Sequence, residues 1–163
     1  MMIQPVLQEE AFLEDVLRAK NDPDHLHLWW LGQSGFLVQW QNHHLLIDPY
    51  LSDSLTKKYE GTNKPHVRMT ERVIAPERLD FVEVATSSHN HTDHLDGETL
   101  VPLWKANPNL TVLVPRGYHV EVWGGIRAPG AGFMGGIHRY PGGGGYGKQL
   151  KDDYRKYYGA TIG

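Results

Sequence analysis

"TSSHNHTDHLD" runs from Thr86 to Asp96 and sets three histidines, His89, His91 and His94, beside Asp93 and Asp96. Imidazole nitrogen and carboxylate oxygen are preferred ligands of zinc and also suit manganese and iron. On a tight loop, alternate residues can point into one hollow. His89 and His91 could then chelate one ion, with Asp93 and His94 facing a second close by. Two such ions can share a water, lower its pKa and hold it as hydroxide. The alternative is a solvated polar loop that binds nothing. His89, His91, Asp93 and His94 crowded directly behind a strand favour the metal site.

The flanks place this stretch in a fold. Upstream, "LDFVEVATSS" has a strand pattern through Phe81, Val82, Val84 and Ala85. Downstream, "DGETLVPLWKAN" reads as a helix with Leu100, Leu103 and Trp104 on one face, and "LTVLVP" as a further strand. The histidines therefore fall in a strand-to-helix loop, where ligand sites of layered α/β proteins gather. Further back, Leu26, Leu28 and Trp30 alternate, as do Phe36, Val38 and Trp40. With "HHLLIDPYL" they predict three antiparallel strands, turned at Gly32–Gly35 and Gln41-Asn42. Trp29, Trp30 and Trp40 are expected in the core. Residues 7–20 predict a helix with Phe12, Leu13, Val16 and Leu17 on one face, stopped near Pro23. Ser52 to Arg78 reads as a long polar loop with at most one short helix, and such loops are often functional. Within it, His66 and Arg68 could reach a substrate, but pinning the loop is the favoured role.

Composition narrows the function. The 163 residues fit one domain with a real core. There is no cysteine, so a metal must be held by histidine and carboxylate. The net charge of -3, with no basic stripe, gives no support to a nucleic-acid partner. No apolar run approaches the ~20 residues of a membrane span, and the N-terminus lacks the pattern of a signal peptide, so a cytoplasmic location is expected. From Trp123 onward the chain turns glycine-rich, with "PGGGGYG" read as a flexible linker and a short helix possible over 148–157. Asp152 and Asp153 there read as a solvated face.

"HNHTDH" matches the His-x-His-x-Asp-His signature of the metallo-β-lactamase superfamily. Together with "LWWLGQSGFLVQW" and "LLIDPYLSDS", it resembles the branch that contains L-ascorbate-6-phosphate lactonase. The phospholipase D acting on N-acyl phosphatidylethanolamine carries a similar "SHNHxDHLD" and is a more distant likeness. The resemblance covers roughly Leu26 to Pro115. It implies an α/β (α+β) fold, the αββα sandwich, and a hydrolase using metal-bound hydroxide on a lactone, ester or phosphodiester bond. His89 and His91 would bind the first ion, and Asp93 and His94 the second, with Asp93 also orienting the nucleophile. Asp48 would support the imidazoles from behind. Two ions, zinc or alternatively manganese or iron, are implied for the complete family site.

Members of that superfamily are longer, and their second half supplies further ligands. Here no "SGDT"-type segment offers a bridging aspartate. His119 and His138 are the later histidines, and His138 is a possible extra ligand. The expected organisation is thus an N-terminal half over 1–116 and a divergent glycine-rich segment over 117–163. Half a sandwich would expose one sheet face, so a homo-oligomer is possible. The rival expectation is a non-catalytic or weakly active relative that binds metal through a partial site.

Overall fold

The computed structural model describes residues 2–89 and 91–114. Readings that fall on 115–163, including His119, His138, Asp152, Asp153 and the glycine-rich linker, lie outside the described residues.

Helix α1 (Glu9–Ala19) opens the fold. Glu9 and Glu10 in its first turn and Arg18 in its last oppose the helix dipole at each end. Phe12, Val16 and Ala19 form its buried stripe, whereas Leu17 is exposed. Leu17 lies on the far edge of the apolar arc, so the buried face is centred one position away from the expected one. Asp15 ties the helix to the sheet by accepting from the Trp29 indole at 2.9 Å. That bond, more than the neighbouring Arg18, lowers the Asp15 pKa against the opposing effect of burial.

Strands β1 (His27–Trp30), β2 (Phe36–Trp40) and β3 (His43–Ile47) form the expected antiparallel meander. Gln41 and Asn42 both have positive φ, the conformation that lets a two-residue hairpin match strand twist. After β3 the chain passes through α2 (Ser54–Tyr59) and a 3-10 turn at Pro76–Arg78. It then enters β4 (Val84–Thr86), α3 (Gly97–Ala106) and β5 (Thr111–Leu113). The sheet runs β1-β2-β3-β4-β5, with β3, β4 and β5 parallel. A parallel step needs a crossover, and α3 supplies it between β4 and β5.

The two faces of this sheet differ. On one, Leu37, Leu46, Ala85 and Val112 join Phe12 and Val16 of α1 and Leu100 and Leu103 of α3 in one buried cluster. Burying each large aliphatic chain contributes about 1.5–3 kcal/mol. The other face carries Leu28, Trp30, Phe36, Trp40 and Ile47, all exposed, with Trp30 at 56%. The core placement expected for Trp30 and Trp40 is therefore wrong, and Trp29 is half-buried at the margin of the core. In β2 and β3 the more apolar phase faces outward and the phase with Gln39 and His44 turns inward, against the packed helices. The result is a mixed α/β, helix-on-sheet architecture, consistent with part of an αββα sandwich.

Two buried polar residues on the inner face are accommodated by pairing. Gln39 is best placed with its amide nitrogen on His44 Nε2 at 3.2 Å and the Val16 carbonyl at 3.1 Å. Its oxygen then accepts from Lys20 N at 3.2 Å. Burial, followed by the charge of Lys20, pushes the His44 pKa down, so the imidazole is held neutral.

Candidate metal centre

The loop from Ser87 to Asp96 leaves the carboxyl end of β4 and leads into α3, as expected. It is tightly wound: the His91 carbonyl accepts from both His94 N and Leu95 N at 2.8 Å. Ser87 Oγ donates to the His89 carbonyl at 2.8 Å, and Ser34 Oγ donates to the Asp93 carbonyl at 2.7 Å. Ser34 belongs to the β1–β2 turn, which explains that turn's glycines. A Cβ on Gly35 would lie 2.6 Å from the Asp48 carbonyl oxygen, and Gly35 has φ +95°. Glycine there lets the turn press against Asp48 and brings Ser34 onto the loop.

This winding gathers the expected residues. The ring centroids of His89 and His91 are 4.6 Å apart, and those of His89 and His94 are 4.0 Å apart. Asp93 Oδ2 lies 3.6 Å from His94 Nε2.

Asp48 is the organiser. It sits at φ +46°, unusual for a residue with a side chain, just past the end of β3. Its carboxylate accepts from Ser88 N at 2.7 Å, from Ser88 Oγ, and from His94 Nδ1 at 2.7 Å. Burial alone would raise the Asp48 pKa, but the Ser88 and His94 hydrogen bonds outweigh it and hold the carboxyl below its usual range. Ser88 Oγ also lies 3.0 Å from His89 Nδ1. Because that hydroxyl gives its proton to Asp48, it must accept from His89. Both His89 and His94 are thereby assigned the Nδ1–H tautomer, and among the described residues neither Nε2 makes a hydrogen bond. Hydrogen bonds to a carboxylate or its relay are how metal-binding imidazoles are commonly oriented.

The donor set can be tested against a metal. Two ligands on one tetrahedral zinc, each at ~2.0–2.1 Å, stand about 3.4 Å apart. The 3.6 Å between His94 Nε2 and Asp93 Oδ2 is close to that spacing. Tautomer and donor chemistry fit as well. The fit is partial, however: among the described residues, no three His, Asp or Glu side chains are placed to hold one ion together.

Sequence reasoning missed three residues here. Ser88 and Ser34 offered no signal beyond standing next to a histidine and within a glycine turn. Asp96 carried one, an aspartate before a helical pattern, which marks an N-cap. Its side chain accepts from Glu98 N at 3.3 Å, from Ser52 Oγ at 2.6 Å and from Thr99 Oγ1. Of the long-loop pair, Arg68 is buried and donates to the Thr70, Ser52 and Tyr50 carbonyls, so it pins the loop. His66 instead lines a cavity together with His91 and Asp93.

Comparison with known proteins agrees with this architecture. The profile of the beta-lactamase superfamily domain matches residues 27–138, more than half of the chain and beyond the expected limit at Pro115. The chain belongs to the β-lactamase superfamily. It is 35% identical over 88 residues to the mitochondrial N-acyl-phosphatidylethanolamine-hydrolyzing phospholipase D of Saccharomyces cerevisiae, covering 54% of this chain and 18% of the yeast protein. It is also 30% identical over 108 residues to uncharacterised proteins of Mycobacterium bovis and Mycobacterium tuberculosis, covering 64% of this chain and 28% of theirs. The chain thus spans less than a third of the length of these relatives. The likeness to a phospholipase D supports the superfamily and does not single out the lactonase branch. Among the described residues, no helix is long and apolar enough to cross a membrane.

Proposed function

We propose that the protein is a metal-dependent hydrolase acting on a phosphodiester, ester or lactone bond. The observation that carries this reading is the Asp48 network, which fixes two imidazoles through Nδ1 and leaves their Nε2 atoms without a hydrogen bond among the described residues, with Asp93 beside His94. Membership of a superfamily that contains hydrolases, and likeness to a phospholipase D, support it further. The lactonase-like branch is kept as one substrate option within it.

His89 and His91 would hold one ion, and Asp93 and His94 a second, with zinc, manganese or iron suited to the donors. When bound, such ions lower the pKa of water and polarise the scissile bond. The chain's own residues do the positioning. Asp48 and Ser88 hold the two rings in one tautomer, and Ser34 holds the backbone of Asp93. The Asp93 carboxylate, half-exposed at the mouth of the loop, is placed to orient the attacking nucleophile.

One observation favours a second reading, a metal-binding relative with weak catalysis: the described donors form pairs without a convergent third. Turnover by the full chain on lactone, ester and phosphodiester substrates, titrated with Zn²⁺ or Mn²⁺, separates the two. Metal-dependent turnover that vanishes in Asp93→Ala is the expected result. Metal binding without turnover by any preparation would leave the second reading standing and reject the first.

A further inference from the structure

The sheet face opposite the helices carries its apolar side chains in register. Trp30 stands across from Phe36 and Phe36 across from Ile47, while Leu28 stands across from Val38 and Val38 across from Leu45. Trp40 begins a third row beside His43. The outward positions of the five strands hold no Asp, Glu, Lys or Arg, and His43, Thr86 and Thr111 are the polar ones. His43 stands at the rim, where its Nδ1 lies 2.9 Å from the Glu83 carboxylate. A cavity of ≈ 350 Å³ lined by Ile3, Val6, Leu28 and Trp30 continues the apolar surface past the edge of β1 onto the N-terminal arm.

Leu28, Trp30, Phe36, Trp40 and Ile47 are each between 38% and 59% exposed. Aromatic side chains offer ~150–250 Å² apiece and aliphatic ones somewhat less, so these five leave roughly 500 Å² of apolar surface in water. Two such faces laid together remove about 1,000 Å² from these residues alone, the size at which a specific protein–protein interface begins. The composition suits an interface as well, with aromatic side chains inside, no carboxylate or ammonium to desolvate, and the His43–Glu83 pair at the rim. A face without charges is also its own complement, as a two-fold interface requires. The remainder of this chain is a poorer cover. Residues 115–163 hold most of the 18 glycines, and glycine brings no side chain to fill the spaces between Trp30, Phe36 and Trp40.

We infer that the protein forms a two-fold dimer through this face, with the sheets of two copies packed ~10 Å apart and their side chains interleaved. Trp30 and Trp40 are the anchors, because each leaves about half of its surface for the partner to cover. The dimer is independent of the hydrolase reading.

The test is sedimentation-velocity ultracentrifugation of the full chain over the micromolar range. The wild type should sediment as a concentration-dependent dimer. Trp30→Glu and Trp40→Glu should each raise the dissociation constant tenfold or more, since each would place a carboxylate in an apolar interface. Circular dichroism melts show whether these variants fold as the wild type does, and a second measurement serves if they do not. The chain has no cysteine, so Val38→Cys supplies one thiol within the face and Glu14→Cys one on the exposed side of α1. Maleimide labelling of the Val38→Cys chain should slow as its concentration rises, while labelling of the Glu14→Cys chain should not change. A monomer at every concentration overturns the dimer, and slow labelling of a monomeric Val38→Cys chain would assign the cover to residues 115–163 instead. An open-ended assembly, a dimer that folded Trp30→Glu and Trp40→Glu variants leave intact, or Val38→Cys labelling that is independent of concentration would overturn it equally.

Discussion

The loop from Ser87 to Asp96 is polar at both ends, and its two ends are used in opposite ways. At the helix end, Asp96 is buried and its carboxylate is saturated by Ser52, Thr99 and Glu98 N. Nearby, the buried Arg68 spends its guanidinium on three backbone carbonyls. At the strand end, His89 and His94 hydrogen-bond through Nδ1, their Nε2 atoms make no hydrogen bond among the described residues, and His91 is exposed. Buried polar groups must be paired inside the fold, whereas half-exposed groups held in one tautomer can be reserved for something else. The first set pins the loop, and the second is presented by it. Mutations should separate the two sets.

The largest effect is expected at Arg68. Arg68→Met would leave the Tyr50, Ser52 and Thr70 carbonyls without their donor in a buried setting. At roughly 1 kcal/mol or more for each carbonyl, urea denaturation should show a loss of about 3 kcal/mol. A loss below about 1 kcal/mol would mean that water replaces the guanidinium, and the contrast between the two ends would weaken.

Asp96→Ala comes next. It removes the N-cap of α3 and the acceptor of two buried hydroxyls, so a loss of about 2 kcal/mol is expected from the same denaturation curves. Unchanged stability would show that Ser52 and Thr99 repair the site between themselves.

Ser88→Ala should act on the other end. It cuts the link from Asp48 to His89 while deleting little buried surface. Stability should stay near that of the wild type, while affinity for Zn²⁺ in a competition titration falls about tenfold. A large drop in stability with affinity intact would make Ser88 a member of the pinning set.

The smallest effect concerns pH and His44. Burial lowers the folded pKa of His44 below its unfolded value of about 6.5. Between those two values the unfolded chain binds the proton and the folded chain does not. The stability contributed by neutral His44 is thus complete above about pH 6.5 and is lost as pH falls toward the folded pKa. Urea midpoints at pH 7.5 and 5.5 should differ more in the wild type than in His44→Gln. Equal pH dependence in the two would show that His44 is as easily protonated folded as unfolded.

Much of this was legible in the sequence for local reasons. The strands β1 to β3, their turns, and the position of the histidines between β4 and α3 follow from alternation, turn residues and spacing, which act over a few residues. The buried face of the sheet was not legible. Phe36, Val38 and Trp40 are more apolar than Leu37 and Gln39, the phase that turns inward, and the choice depends on helices packed from elsewhere. The pinning role of Arg68 and the N-cap position of Asp96 were signalled, but the groups they bind were hidden for a related reason. Their partners, such as Ser52, lie 16 and 44 residues away, and carbonyl acceptors carry no side-chain signature. The metal ligands could be proposed because His-x-His-x-Asp-His is local. Ser88, which relays Asp48 to His89, is equally local but belongs to a residue type too common to stand out.

The central claim is that the strand end of this loop holds a transition metal. Elemental analysis of the full chain, purified without chelators, tests it most directly when set beside a His89→Ala/His91→Ala variant. The wild type is expected to retain at least one ion of zinc, manganese or iron per chain. The variant should retain far less while unfolding at the same urea concentration as chelator-treated wild type. Equal, negligible metal in both proteins would contradict the claim.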